Sequence, residues 1–267
     1  IKAGPSRGTA VLLAAKDPLS IMINEEDHLR IQSLVSGLCL KNAWNLVDHL
    51  DEELGQELPF AYHHEFGFLT SCPTNVGSGL RASVLVHLPG LVLTKEIGKV
   101  LQGLSQVGLT FRGLYGEGSE VVGNFFQLSN QTTLGKSEED LVEHLEKIVR
   151  QVIQYESQAR QVLLTNAPQE SEDKIWRAYG LLRYARSLSF EELMNLLSGV
   201  RLGVGLKLLP ELRVYTLNKL MIYTQSAHLE QAARRDLPPA ECDAHRAAYV
   251  RKILTTEGTS DSVERQA

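Results

Sequence analysis

A chain of 267 residues with 43% hydrophobic content can bury a sizeable core and make one large domain with an appendage. Its formal net charge of −5 opposes a nucleic-acid binder that works by bulk electrostatics, so its arginines matter by position and not by number. Cys39, Cys72 and Cys242 are widely spaced and odd in number, which is neither a disulfide framework nor a zinc-ligand pattern. No apolar run is long enough to span a bilayer and the opening residues lack a signal peptide's regions, so no membrane association is expected and a reducing cytoplasm is the default location.

Along the chain, Thr9–Ala14 and Ser20–Asn24 are short apolar or alternating runs around the turn signal Lys16-Asp17-Pro18, which predicts a hairpin. The strand pattern continues through Leu29, Ile31 and Leu34, which would put Glu25, Glu26 and Asp27 on an exposed strand segment facing a cleft. Between Lys41 and Leu58, Ala43, Trp44, Leu46, Val47, Leu50 and Leu54 recur at spacings of three and four, one stripe of an amphipathic helix. Alternation returns at Ala61–Leu69 and Ala82–Leu88, on either side of a Pro-, Asn- and Gly-containing loop from Cys72 to Gly79.

A second helix is expected from Leu93 to Leu104, then strands near Leu109–Tyr115 and Val121–Leu128 flanking Gly116-Glu117-Gly118. Ser137 followed by Glu138, Glu139 and Asp140 is a helix-start signature ahead of Leu141, Leu145, Ile148, Val149, Val152 and Ile153, opening a long helix to about Leu164. After Pro168 the strand signals stop and helical periods dominate, at Ile175–Leu188, Glu191–Leu202, Leu217–Leu229 and Ala240–Leu254. This predicts an α+β fold: a mixed core over 1–167, an all-helical domain over 168–256 and a disordered tail over 257–267.

Three arginines stand in or beside distinctive segments: Asn24-Glu25-Glu26-Asp27-His28-Leu29-Arg30, Gly79-Leu80-Arg81-Ala82-Ser83 and Arg112-Gly113-Leu114-Tyr115-Gly116-Glu117, with Ser71-Cys72-Pro73-Thr74-Asn75 ahead of the second. A guanidinium keeps its proton and offers a planar fork of donors, so several on one cleft clamp phosphate. Acids beside such a clamp suggest phosphoryl transfer. Singly, each arginine reads as a surface charge, the acidic triplet as a solvated turn and Cys72 as a packing thiol. There is no GKS or GKT, and the glycines are too sparse for a phosphate-cradling loop.

In that order, from about residue 9 to about residue 160, the four segments resemble the guanidino-kinase family, which comprises the phosphagen kinases and the protein-arginine kinases. The resemblance implies an antiparallel sheet flanked by helices and transfer of the γ-phosphoryl of ATP to a guanidinium nitrogen. It makes Glu26 the base that holds and deprotonates the guanidinium, Glu117 a second carboxylate beside it, and Cys72 a thiolate that orients or tunes it. Arg30, Arg81 and Arg112 become phosphate-binding members of the arginine cluster. Ala82, Ser83, Val84, Leu85, Gly113, Leu114, Tyr115, Gly116 and Glu117 become the adjoining ATP contacts, and His28 either touches nucleotide or supports its strand. No metal is bound by the protein itself, since Mg2+ enters on ATP.

Tyr115, where phosphagen kinases usually have Arg, and the helical extension both favour the protein-arginine branch. Within that extension Cys242-Asp243-Ala244-His245-Arg246-Ala247 resembles an R-D-x-x-R-A motif that reads phosphoarginine at a regulatory site; Asp243, Arg246 and Ala247 match, while Cys242 replaces the first Arg. A charged helix face is the alternative. The family's preceding S-S-R-I-R-type segment, with two further phosphate-binding arginines, is not matched here, which implies reduced activity for this piece alone. Implied partners are proteins with exposed arginines, an activator protein, Clp protease or chaperone components and a second copy of the chain, with stress-gene regulation downstream. A phosphagen kinase on a free guanidino compound, or a weakly catalytic phosphoarginine-binding fragment, are the competing readings.

Overall fold

The computed structural model describes residues 8–113 and 121–260. The predicted hairpin forms β1 (Ala10–Leu13) and β2 (Leu19–Ile23), and β3 (Leu29–Ser33) adds to it in a three-stranded antiparallel sheet of order β1-β2-β3. In this register Met22 lies opposite Arg30 and Ile23 opposite Leu29. The acidic residues 25–27 therefore sit in the β2–β3 connection and not on a strand, a correction to the sequence reading. Asn24, with φ of 53°, turns the chain there, a conformation that Asn tolerates better than most residues.

Helix α1 (Leu40–Glu57) follows. The alternating run after it is a small hairpin, β4 (Tyr62–His63) with β5 (Gly67–Phe68), and Pro73–Asn75 form one 3-10 turn. Strands β6 (Ser83–His87), β7 (Leu109–Arg112) and β8 (Phe125–Asn130) make a second three-stranded sheet of order β6-β8-β7.

The helix expected over Leu93–Leu104 is two: α2 (Pro89–Leu93) and α3 (Ile97–Gln106). Proline at the first turn permits the earlier start, and Lys95 in the left-handed region (φ 62°) breaks the run between them. The Ser137 hydroxyl accepts from the Asp140 N–H at 3.1 Å and opens α4 (Glu138–Asn166). Leu141, Leu145, Val149 and Val152 are buried along one stripe of α4, whereas Ile153 is exposed.

Beyond Pro168 the described residues are helical: α5 (Pro168–Tyr184), α6 (Phe190–Gly205), α7 (Val214–Tyr223), α8 (Ser226–Ala233) and α9 (Pro239–Ser260). Ser189 caps α6 by accepting from the Glu192 N–H at 3.1 Å. The single period read over Leu217–Leu229 is broken into α7 and α8 at Thr224-Gln225, and α9 runs past 257, where an irregular tail was expected, to Ser260. With helices and small antiparallel sheets in one chain, the fold is α+β.

Two compact units divide the described residues. The first draws on Ile1–Leu85, Val100–Phe111 and Gln127–Ile153; the second on Val86–Lys99, Arg112–Phe126 and Gln154–Ala267. They interleave along the chain, a division that the composition shift at Pro168 does not reveal. The core of the second unit centres on Leu182, Leu193, Met194, Leu197, Leu217 and Leu220, each burying a side chain worth about 1.5–3 kcal/mol on transfer from water.

Candidate active site

In the first unit the β2–β3 connection and the segment after β5 meet through Ser71. The Ser71 N–H donates to Asp27 Oδ1 at 2.7 Å, and its hydroxyl lies 2.8 Å from the same oxygen and bonds the Glu26 carbonyl as well. Glu25 is committed elsewhere: its Oε2 accepts from the Glu26 N–H at 2.8 Å and from Arg30 Nη1 at 3.3 Å. The carboxylate of Glu26 is exposed and has no partner among the described residues, so of three adjacent acids one is left open to a ligand. His28 Nδ1 pairs with Asn24 Oδ1 at 3.1 Å, and Asn24 Nδ2 donates to the Gly8 carbonyl at 2.8 Å, which ties down the start of the connection.

Cys72 follows Ser71 directly, so its thiol is held to the same junction. Its Sγ lies 3.0 Å from Thr74 Oγ1, a polar contact that an ordinary packing thiol lacks. The loop beyond is close-packed on 132–134: Thr133 Oγ1 donates to the Val76 carbonyl at 2.7 Å, and the Ser78 N–H donates to the Thr133 carbonyl at 2.9 Å. Gly77, with φ of +117°, has backbone where a side chain would stand; a Cβ there would collide with the Thr133 carbonyl oxygen.

Arg81 is exposed and flanked by residues that Asn130 clamps. Asn130 Oδ1 accepts from the Ala82 N–H at 2.8 Å, and Asn130 Nδ2 donates to the Leu80 carbonyl at 3.0 Å. Ala82 is buried, and its N–H is the group that Asn130 holds beside Arg81. Ser83 Oγ accepts from Gln127 Nε2 at 3.0 Å, Val84 is partly buried, and Leu85 is exposed.

The structure thus brings Glu26, Arg30 and Cys72 to one junction and fixes the backbone that presents Arg81. Arg112 ends β7 and, with the buried Gly113, belongs to the second unit. Leu114, Tyr115, Gly116 and Glu117 lie outside the described residues. Sequence reasoning assigned no role to Ser71, Thr74 or Asn130. Ser71 and Thr74 lie inside the Ser71–Asn75 segment and Asn130 closes β8, but which distant partner each meets is decided by the fold.

Within the segment from Cys242 to Ala247, Cys242, Arg246 and Ala247 are buried, while Ala244 and His245 are exposed. Arg246 is 2% exposed, Cys242 is 4% exposed and Ala247 lies fully within the core. The Arg246 guanidinium donates to the Thr224 carbonyl at 2.9 Å, to the Leu188 carbonyl at 2.8 Å and to Asp243. Its donors therefore satisfy the C-terminal end of α7 and the α5–α6 connection. Only Asp243, of these four, is partly exposed.

Residues 2–159 match the ATP:guanido phosphotransferase C-terminal catalytic domain, and residues 168–265 match the protein-arginine kinase McsB C-terminal domain. A protein-arginine kinase of Symbiobacterium thermophilum is 51% identical over 246 residues, 92% of this chain and 70% of the relative. One of Bacillus cereus is 47% identical over 248 residues, 93% of this chain and 70% of the relative. Among solved structures, the duplicated taurocyamine kinase of Schistosoma mansoni bound to transition-state-analogue components aligns over 93% of this chain, with a TM-score of 0.52 at 22% identity, a likeness of fold. The chain spans about a third of that protein, 34% of its length.

Proposed function

The chain belongs to the ATP:guanido phosphotransferases, within their protein-arginine kinase branch, and from that premise we propose that Glu26 receives the guanidinium of a protein arginine and accepts its proton as the γ-phosphoryl of ATP is transferred. The observation that supports this reading is the division of labour in the acidic triplet. Glu25 faces Arg30, Asp27 holds Ser71, and the Glu26 carboxylate is left free beside the Cys72 segment.

Guanidinium nitrogen is a poor nucleophile because its lone pairs are delocalised. A carboxylate that binds the group through two N–H donors aligns one nitrogen with phosphorus and takes up the proton released as the N–P bond forms and the bond to ADP breaks. The Cys72 sulfur orients the same planar group, and Glu117 holds it from a second side. Arg30, Arg81 and Arg112 meet the phosphates and the charge that spreads over them in the transition state. The segments Ala82–Leu85 and Gly113–Glu117 carry the nucleotide. Magnesium would be held chiefly by the phosphates of ATP and water, where it would neutralise phosphate charge.

On the wider scale, residues 1–167 serve as the catalytic core and 168–256 as a regulatory and dimerisation domain of a cytoplasmic homodimer. The enzyme marks proteins for Clp-type proteolysis and acts in stress regulation with an activator protein. At the Cys242–Ala247 segment, binding of phosphoarginine would act through Asp243, the partly exposed member.

The test is incubation of the chain with ATP and either an arginine-rich protein or free arginine, followed by acid treatment. Acid-labile phosphate on the protein substrate is expected. Acid-stable phosphate alone would rule out an N–P product, and transfer only to free arginine would assign the chain to the phosphagen kinases.

A further inference from the structure

We propose that Arg160 and Arg201 form an anion-binding site in the second unit, suited to a phosphoryl dianion and built from residues other than the proposed catalytic ones. Arg160 lies on α4 with its side chain 24% exposed, and its Nε donates to Glu156 Oε1 at 2.6 Å. That carboxylate is buried, and its oxygens also accept the N–H groups of Gly90 and Leu91, each at 2.9 Å. Glu156 is therefore committed to the start of α2 and offers little to a second cation.

The outer nitrogens of Arg160 reach α6 at Gly205, where a Cβ would stand 2.8 Å from Nη1. A side chain at 205 would compete for that space. Arg201 lies four residues earlier on α6, so the face of α6 that meets the Arg160 guanidinium at Gly205 also carries Arg201 about one turn away.

Arg201 has neutral partners. Its Nη1 donates to Asn218 Oδ1 at 2.7 Å, its guanidinium lies 5.5 Å from the ring centre of Phe125, and no carboxylate pairs with it among the described residues. Burial, and then the charge of Arg160, lower its pKa from the usual value. His87 nearby is neutral: burial first, then Arg201 and Arg160, push it down to about 2. Its Nε2 shares a hydrogen bond of 2.8 Å with Ser198 Oγ, which also accepts from Asn124 Nδ2 at 2.8 Å, so the wall behind the arginines is tied up in neutral contacts.

The sum is two guanidinium groups against one saturated carboxylate, with donors of Arg160 and Arg201 left over. A dianion with several acceptor oxygens offsets the like-charge repulsion and takes those donors in pairs. Free phosphate and a phosphorylated side chain of another protein share this chemistry.

The test is titration of the isotope-labelled chain with inorganic phosphate, followed by amide NMR shifts. Amides 201–207 and Asn218 should move, and Arg201→Gln should weaken that response at least about tenfold while responses near Arg30 and Arg81 persist. Asn218→Asp, at an exposed position and therefore tolerant of change, should weaken it similarly by pairing Arg201 internally. A phosphoserine peptide that binds more tightly than phosphate, with its unphosphorylated counterpart silent, would identify a side chain as the source; equal affinity would identify the free ion. Amides 201–207 that stay still, or that move equally in both variants, would overturn the site.

Discussion

Glu25, Glu26 and Asp27 have nearly the same chemistry, yet the fold gives each a different surrounding: Glu25 meets Arg30, Asp27 meets Ser71, and Glu26 stays open. That leads to an asymmetric prediction. Glu26→Gln, which removes base and orienter but no phosphate contact, should lower turnover about 10²–10⁴-fold with ATP affinity nearly unchanged. Rate and nucleotide-binding measurements on the same preparation check it; parallel loss of ATP binding would put Glu26 at the phosphates instead. Arg81→Ala should weaken ATP binding together with rate, read in a nucleotide titration, because it deletes a cation that meets the phosphates in ground and transition states alike.

At the scale of elements, Arg246 joins three pieces of the helical domain from within α9. Its guanidinium satisfies the last carbonyls at Thr224 and Leu188 and pairs with Asp243 while almost wholly buried. Arg246→Ala leaves those acceptors stranded in a dry site and should cost roughly 3 kcal/mol or more, measured as a lower urea midpoint. A loss under about 0.5 kcal/mol, typical of a surface site, would mean the side chain is solvated after all. The loop of the Cys72 segment depends on backbone contact instead. Gly77→Ala would set a methyl group against the Thr133 oxygen at a φ that alanine disfavours, so destabilisation above about 1 kcal/mol and slower transfer are expected, from chemical unfolding and turnover assays respectively.

For the whole molecule, His87 makes stability depend on pH. Its folded pKa of about 2 lies below the unfolded value of 6.5, so between these limits the unfolded chain binds the extra proton. Stability then falls as the pH drops below 6.5, by up to about 1.4 kcal/mol per pH unit, and by about 2 kcal/mol at pH 5 from this residue alone. Urea midpoints at pH 7 and pH 5 should show the loss, and His87→Gln should flatten it; an unchanged slope in the variant would assign the acid sensitivity to other groups.

Local signals in the sequence were enough for much of the plan. Turn residues and alternation predicted the β1–β2 hairpin, three-and-four spacing predicted α1, and the Ser137 cap predicted the start of α4, because each is decided by nearest neighbours along the chain. The motif order identified the family. Tertiary structure decided what depends on distant partners. The α7–α8 break at Thr224 has a buried guanidinium 22 residues away bonded to its carbonyl, and the Glu26 and Cys72 segments meet through a serine 44 residues from its carboxylate acceptor. Burial of Arg246, likewise, could not be read from a motif that looks polar, since a charged group is tolerated inside only where the surrounding carbonyls and a carboxylate converge on it, and that convergence exists only in the folded chain.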